Sequence, residues 1–477
     1  MSFEDLPDYL NKMKSQEKLI EVEEEVDPDL ELTYILSREL ESGHRRTMLF
    51  KNVKGYNIPV VGNIFAELER IKLILGNEPE DVGNRLLNLV SIPSDTNSLI
   101  GRGLRMFREI SGVMPKISGP LASSHVIEDR PDLKTIPVCR TWPNDAGPFM
   151  TLPLVITKDF KSGVRNVGMY RMQVYDSETT GMHWQVHKGG SSHQASSQGK
   201  VMDVAVVLGT DPLNILSAVA PLPDGIDEFS FAGLVSRKRV ELAKGLTVDL
   251  EYPKNSEIVL EGYVDPSETR IEGPFGDHTG YYSLEEEFPV FHLKRIIRKR
   301  QPIYPTTIVG ELWHEDVAIG KAIERMFLPF IRFQIPEIVD INTLEESAFH
   351  NMVVVSIRKR FPGQAKKVMF ALWGMGQLML SKIILVVDSD IDVHNRSQVL
   401  WAMTTRIDPQ RDVLVVPGTV TDSLDHASRL MNYGSKMGID ATRKDKTEGF
   451  NRRWPDKLEI PKELMESVKK RWSELGL

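Results

Sequence analysis

A change of texture along the chain predicts a mixed α/β (α+β) protein of several domains. Helical and strand patterns alternate in the first part, short strand patterns separated by turns follow from residue 151, and a strand–helix rhythm returns after about 305. At 477 residues the chain is also too long for one ordinary core, which favours about two to four domains.

The elements follow in order. Asp27-Pro28 precedes LELTYILSREL, where Leu30, Leu32, Ile35, Leu36 and Leu40 form a mostly helical apolar face. IPVVGNIF reads as a strand, and ELERIKLIL and GNRLLNLV read as helices. Residues 115 to 150 are rich in proline and turn formers and read as a crossing or linker. TLPLVITKDF, VGMYRMQVYD, GMHWQVHKGG, VMDVAVVLG, EIVLEGYVDP and VFHLKRIIRKR are strand candidates, which together predict a largely antiparallel sheet or barrel. Beyond 305, MVVVSIRKR and KIILVVDSDIDV are strands, GQAKKVMFALWGMGQLML and SQVLWAMTTRI are helices, and VLVVPG follows. That succession predicts an α/β domain with a mostly parallel sheet. The tail PKELMESVKKRWSELG has a helical pattern suited to docking on a partner domain or subunit.

Composition excludes several classes. A formal charge of −8 with no basic stripe argues against a nucleic-acid binder. The single cysteine, Cys139, excludes an internal disulfide and a multi-thiolate zinc site, and its apolar setting reads as a small buried hydrophobe. MSFEDLPDYL has no secretory pattern, and Gln377 and Lys382 interrupt the most apolar window, so a cytoplasmic protein without an integral membrane segment is expected. P-loop, nucleophile-elbow and dinucleotide fingerprints are missing from the sequence. Asp388, Asp390 and Asp392 sit at strand spacing but lack the glycine and terminal glutamate of an EF-hand, so a solvated strand end is the better reading.

Four segments concentrate unusual polar residues. RNVGMYRMQ carries Asn166, Gly168 and Arg171, and a glycine inside a strand pattern marks a bulge or close backbone approach to a ligand. GMHWQVHKGGSSHQ carries His183, His187 and His193; strand alternation would put His183, Gln185 and His187 on one wall. Lys188 and the glycines after it can offer a cation and backbone N–H groups to a phosphate. PLPDGIDEFSFAG reads as a loop in which Glu228, alone, is an ordinary acid. IEGPFGDHTGYY sets Glu272 and Asp277 around Gly-Pro-Phe-Gly, a tight turn that can bring both carboxylates to one side. A surface turn with water-facing acids is the competing reading. Asparagine, histidine and glutamate together would suit Mg²⁺ or Mn²⁺.

In this order, RNVGMYR, HWQVHKGG, PLPDGIDEFSFAG and EIVLEGYVDPSETRIEGPFGDHTGYY resemble the UbiD family of reversible decarboxylases, with weaker similarity through WHEDVAIGKAIERMFLP, ILVVDSDIDVH and TTRIDPQRDV. The resemblance implies an N-terminal α/β domain (1–115), a central split β-barrel domain holding prenylated FMN (116–305), a mobile C-terminal α/β domain (306–448) and a helical tail (449–477). It implies that Asn166, His187 and Glu228 bind Mn²⁺ or Mg²⁺, that K⁺ is held by the carbonyls of Ser217, Ala218 and Ala220, and that Met169, Tyr170, Arg171, His183, Trp184, Gln185, Lys188 and Gly189 contact the cofactor. The family's catalytic arginine and two acids fall on Arg171, Glu272 and Asp277. Several relatives carry glutamate at the last position, and aspartate occurs in members resembling the polyprenyl-hydroxybenzoate enzymes. A flavin prenyltransferase as cofactor supplier and a homodimeric or homohexameric assembly are implied as well.

These residue types suit the chemistry. Loss of CO₂ from an aromatic or α,β-unsaturated acid leaves a carbanion that side chains cannot stabilise, so a cofactor must take the electrons. Arg171 is expected to hold Glu272 ionised; Asp277, closed off from water, is expected to carry a raised pKa and return the proton. Closure of the C-terminal domain is expected to use the segment around Phe327 and Leu328. A flavin-storage protein and a divalent-metal hydrolase built on His187 and Glu228 are the alternatives from other classes.

Overall fold

Short, largely apolar strand segments in the middle of the chain build the element on which the rest is mounted. In a computed structural model that describes residues 3–476 apart from 91–107, 120, 122–124, 129, 185–188, 223–224, 312 and 459, these residues form a seven-stranded sheet. Its order is Thr179–Gly181, Glu286–Lys299, Ile258–Glu272, Met202–Leu208, Pro153–Lys158 and Arg165–Met169, with His125–Glu128 also pairing with Glu286–Lys299. Every pairing is antiparallel.

Successive side chains on a strand point to opposite faces. Leu154, Ile156, Ala205, Val207 and Val259 therefore enter one core, and Val155, Val204, Val206, Ile258 and Leu260 enter another. Both faces are covered, and the sheet stays open, with no closed barrel among the described residues. Residues 170–178 carry the chain from the Arg165–Met169 edge to the Thr179–Gly181 edge, and Val174 bridges to Thr180 on the way.

Around this sheet lie two α/β units. The N-terminal one has a four-stranded sheet in the order Leu19–Val26, Thr47–Val53, Val60–Gly62 and Tyr304–Pro305, so its last strand arrives only after the central sheet is complete. Helices Glu31–Glu41, Leu68–Leu75 and Pro79–Val90 form where the apolar spacing places them. The C-terminal sheet has the order Ile338–Thr343, Met352–Ile357, Ile383–Asp388, Tyr433–Ala441 and Val413–Val420. Only its two central pairings are parallel and both outer pairings are antiparallel, which corrects the expected mostly parallel sheet. The parallel pairing of Met352–Ile357 with Ile383–Asp388 joins two strands that are largely buried, while Val413–Val420 is largely open to solvent at the edge. The helix after Gly363 stops at Trp373, where Gly374 caps it, and Gly376–Leu380 continues only as a 3₁₀ turn. No described helix is long and apolar enough to cross a membrane. The tail helix Lys462–Lys470 is exposed along its whole length.

The long helix Glu315–Gln334 opens the C-terminal unit and packs against the N-terminal helix Pro79–Val90. Arg332 Nη1 reaches Glu80 Oε1 at 2.5 Å, and a Cβ on Gly83 would stand 1.9 Å from the Met326 carbonyl oxygen. Alanine normally favours a helix over glycine by about 1 kcal/mol. Here it must push the two helices apart, so Gly83→Ala is expected to lose about 1–3 kcal/mol, read as a lower urea midpoint.

Candidate active site

The antiparallel sheet delivers the three candidate catalytic groups from separate elements. Arg171 follows the edge strand Arg165–Met169, Glu272 is the last residue of Ile258–Glu272, and Asp277 lies in the turn beyond it. The Arg171 Nε donates to Glu272 Oε1 at 2.9 Å, Nη1 to Asp277 Oδ2 at 2.5 Å and Nη2 to the Ser283 hydroxyl at 3.1 Å. Its guanidinium lies 4.6 Å from the centre of the Phe275 ring. One planar fork thus binds both acids and the far side of the turn, a geometry that the flexible ammonium of lysine cannot reproduce.

His183, just past the opposite edge strand, brings Nδ1 within 2.8 Å of the same Glu272 oxygen. Burial alone would raise the Glu272 pKa; Arg171 and His183 outweigh it, so the carboxyl titrates below its ordinary value. Its Oε2 is buried with no hydrogen-bond partner among the described residues.

The turn is held from several directions. Gly273 sits at φ +94°, open to glycine and strained for other residues, and the peptide bond to Pro274 is cis. Gln173 Oε1 accepts from Gly273 N at 2.9 Å. Asp145 Oδ1 accepts from Gly276 N at 2.7 Å, while its Oδ2 accepts from Thr141 N, the Thr141 hydroxyl and Trp142 N. Both acids are buried, which removes the water-facing surface turn as a description of this segment.

Asp277 departs from the expected raised pKa. Burial pushes it up, but the hydrogen bond and charge of His278 and the charge of Arg171 outweigh burial and hold it well below the carboxylate range. His278 Nδ1 and backbone N both lie 2.8 Å from Asp277 Oδ1. The outer side of His278 meets the rings of Phe349 and His350 from the C-terminal unit, each 5.2 Å between centres. Ala348 and Phe349 adopt φ of 50° and 48°, a strained conformation that carries this loop over the turn. Phe327, by contrast, stacks on Phe231, and Leu328 is buried in the C-terminal core.

A second cluster lies beyond Arg171. Glu228 opens the helix Glu228–Ser236 and accepts from Val167 N at 2.8 Å, beside Asn166. Burial, with Asp227 adding, pushes the Glu228 carboxyl up to about 7. Asn166 Oδ1 is only 2.0 Å from where a Cβ on Gly189 would sit, and the Tyr170 hydroxyl accepts from Gly190 N at 3.2 Å. The Trp184 indole nitrogen is buried without a partner among the described residues, beside Gly190. Met169 closes its strand, packed on the core. Gln185, His187 and Lys188 lie outside the described residues. The wall expected of His183, Gln185 and His187 therefore falls partly outside the described residues, between the strand that ends at Gly181 and the helix that begins at Gly189. Gly168 allows close approach of the Tyr170 ring, where a Cβ would come within 2.4 Å. In the segment expected to hold K⁺, Ser217 O accepts from Ala220 N and Ala220 O from Leu222 N.

Asp145, Gln173, Ser283, Asp316 and the His350–Asp422 pair were not singled out by sequence. Asp145 stands in PNDAGP, which reads as any proline-rich turn; only the tertiary fold brings it to Gly276. Hydrogen bonds to a charged acceptor are worth about 1.5–3 kcal/mol each. Asp145→Ala is expected to lose at least one such increment in chemical denaturation and to speed amide exchange at Gly276.

Sequence models of three domains match the chain. The N-terminal domain of 3-octaprenyl-4-hydroxybenzoate carboxy-lyase matches residues 10–90, its Rift-related domain 115–312 and its C-terminal domain 317–441. An uncharacterized protein of Archaeoglobus fulgidus is 46% identical over 100% of this chain and 99% of its own. The UbiD-class enzyme HmfF from Pelotomaculum thermopropionicum in complex with FMN superposes with a TM-score of 0.80 at 28% identity, covering 96% of this chain and 97% of that one. Vanillic acid decarboxylase from Sedimentibacter hydroxybenzoicus in closed form reaches 0.87 at 25% identity, over 100% and 99%. With all three domains matched in order around the Arg171–Glu272–Asp277 cluster, the chain belongs to the UbiD family of carboxy-lyases, the decarboxylases that work with prenylated FMN.

Proposed function

We propose that this chain catalyses the reversible, non-oxidative decarboxylation of an aromatic acid of the 4-hydroxybenzoate type, with a polyprenylated quinone precursor as the first candidate. The observation that carries it is the Arg171 fork, joined to Glu272 at 2.9 Å and Asp277 at 2.5 Å inside the protein. The vanillic acid decarboxylase of Sedimentibacter hydroxybenzoicus, an enzyme named for an aromatic acid, supports the substrate class.

The second cluster fits the cofactor in its chemistry. Asn166 and Glu228 are oxygen donors on adjoining elements, and His187 completes the proposed set for Mn²⁺ or Mg²⁺. The orphaned Trp184 indole N–H and the glycines at 189 and 190 provide a donor and a close backbone approach for a flavin phosphate region, next to Met169, Tyr170, Gln185 and Lys188. K⁺ at the carbonyls of Ser217, Ala218 and Ala220, supply by a flavin prenyltransferase, and a homodimer or homohexamer complete the reading. When bound, prenylated FMN supplies the electron sink that the departing CO₂ requires.

The chain's own residues do the rest. Arg171 orients both carboxylates, and Glu272 stays ionised beside the reacting centre with Oε2 uncommitted. Phe275, Phe349 and the C-terminal loop keep water from the turn. Asp277 returns one proton to the carbon that lost CO₂. In the substrate-free protein it is ionised, and an arriving carboxylate raises its proton affinity.

Protein co-produced with a flavin prenyltransferase is expected to release CO₂ from members of an aromatic acid panel. Asp277→Asn should keep the flavin spectrum and lose about 10²–10⁴-fold in kcat; unchanged turnover removes Asp277 as the acid. Glu228→Ala should lose both bound manganese, read by elemental mass spectrometry, and flavin absorbance. Full manganese occupancy in that variant removes Glu228 as a ligand. Hydrolysis by protein made without any prenyltransferase would favour the metal-hydrolase alternative.

A further inference from the structure

Decarboxylation with proton return consumes one proton per turnover: RCOO⁻ + H⁺ gives RH and CO₂. A buried acid that delivers this proton must be recharged, and its neighbours decide how. The Asp277 side chain is 11% exposed. Among the described residues its oxygens meet Arg171 Nη1 at Oδ2, and the backbone N and ring Nδ1 of His278 at Oδ1. A guanidinium does not give up a proton in proteins, and neither does a backbone amide. The imidazole is the remaining source.

We propose that His278 is the positioning residue that supplies the proton to Asp277 in each turnover, through its 2.8 Å contact from Nδ1 to Oδ1. The proposal rests on the reading of Asp277 as the acid. The balance is simple. As Asp277 gives its proton to the substrate carbon, an O–H bond breaks and a C–H bond forms. That proton reaches Asp277 beforehand, as substrate binds: the Nδ1–H bond of the imidazolium breaks, its electron pair stays on the ring, and an O–H bond forms at Oδ1. The neutral ring regains a proton at Nε2 when the site opens for product release and admits water; in the structure that atom is buried, with no hydrogen-bond partner among the described residues.

The surroundings hold the ring charged between turnovers. Burial disfavours the imidazolium, but Asp277, Asp316 and Asp422 outweigh it and raise the His278 pKa to about 9. Asp277 faces it from its own turn and Asp316 from the start of the helix Glu315–Gln334. Asp422 faces it from the C-terminal unit, paired to His350 at 3.2 Å. Arg171 is the nearest cation, acting through Asp277. Burial pushes the Asp316 carboxyl up to about 7, so part of this negative charge is itself adjustable. An anionic substrate arriving beside Asp277 raises the proton affinity of that carboxylate and draws the proton across the existing hydrogen bond.

His278→Asn tests this, because its amide can donate from near the Nδ1 position but carries no transferable proton. In the holoenzyme, kcat is expected to fall at least about 10²-fold with KM within about twofold, the magnitude of a lost acid–base step. The wild-type decline in kcat centred near pH 9 should disappear with it. Histidine ¹⁵N NMR of the full chain supplies a readout apart from turnover. The signal missing from His278→Asn should titrate near 9 in wild type and move down in Asp277→Asn. Titration near the ordinary 6.5, or wild-type kcat and pH profile in His278→Asn, overturns the proposal. Wild-type protein that shows the high titration yet decarboxylates no acid overturns the underlying reading instead, and the relay with it.

Discussion

A single guanidinium sets the terms for this protein. Arg171 binds Glu272, Asp277 and Ser283 and stacks on Phe275, so one side chain ties an edge strand, the strand Ile258–Glu272 and the turn beyond it together. Two buried carboxylates so close would repel, and each would carry a desolvation penalty of several kcal/mol. Arg171 offsets both, and His183 and His278 each add a positive or donating neighbour on the far side of one acid. The consequence is an asymmetry. Glu272 is flanked by groups from the central sheet alone, whereas Asp277 and His278 also face the C-terminal unit.

That asymmetry divides labour between the parts of the fold. The rigid sheet fixes the arginine and the supporting acid through paired backbone, where small displacements are resisted on both faces by packed cores. Asp277, the proposed proton carrier, sits on a turn, shaped by Asp145, Gln173 and Ser283 and roofed by a loop with two residues in left-handed conformations. Strain of that kind persists where surrounding contacts over-determine it, and here those contacts include Phe349 against Gly320 and His278.

Much of this was legible in the sequence because it is local. Alternation in VMDVAVVLG and TLPLVITKDF identifies the central strands, and the apolar spacing of LELTYILSREL identifies a helix. The meeting of Arg171 with Glu272 and Asp277, 101 and 106 residues further on, is not local; the resemblance of their segments to the UbiD family implies it, and the three do meet. What the sequence hid depends on distance along the chain. The mixed C-terminal sheet follows from pairing choices that a strand pattern does not encode, since both edge strands could have joined in either direction. The contact of His183 with Glu272 is likewise long-range, joining residues 89 positions apart. The Asp277 pKa went the opposite way from a burial argument because His278, the adjacent residue, folds back onto it.

The strand Tyr304–Pro305 pairs in parallel with Val60–Gly62, although more than two hundred residues separate them in sequence. The first unit therefore cannot finish its sheet until the ribosome has passed the whole central domain. Newly made chains must hold an unpaired strand edge open throughout that interval, a period in which intermolecular pairing competes. A fragment truncated before Tyr304 would leave an incomplete first sheet.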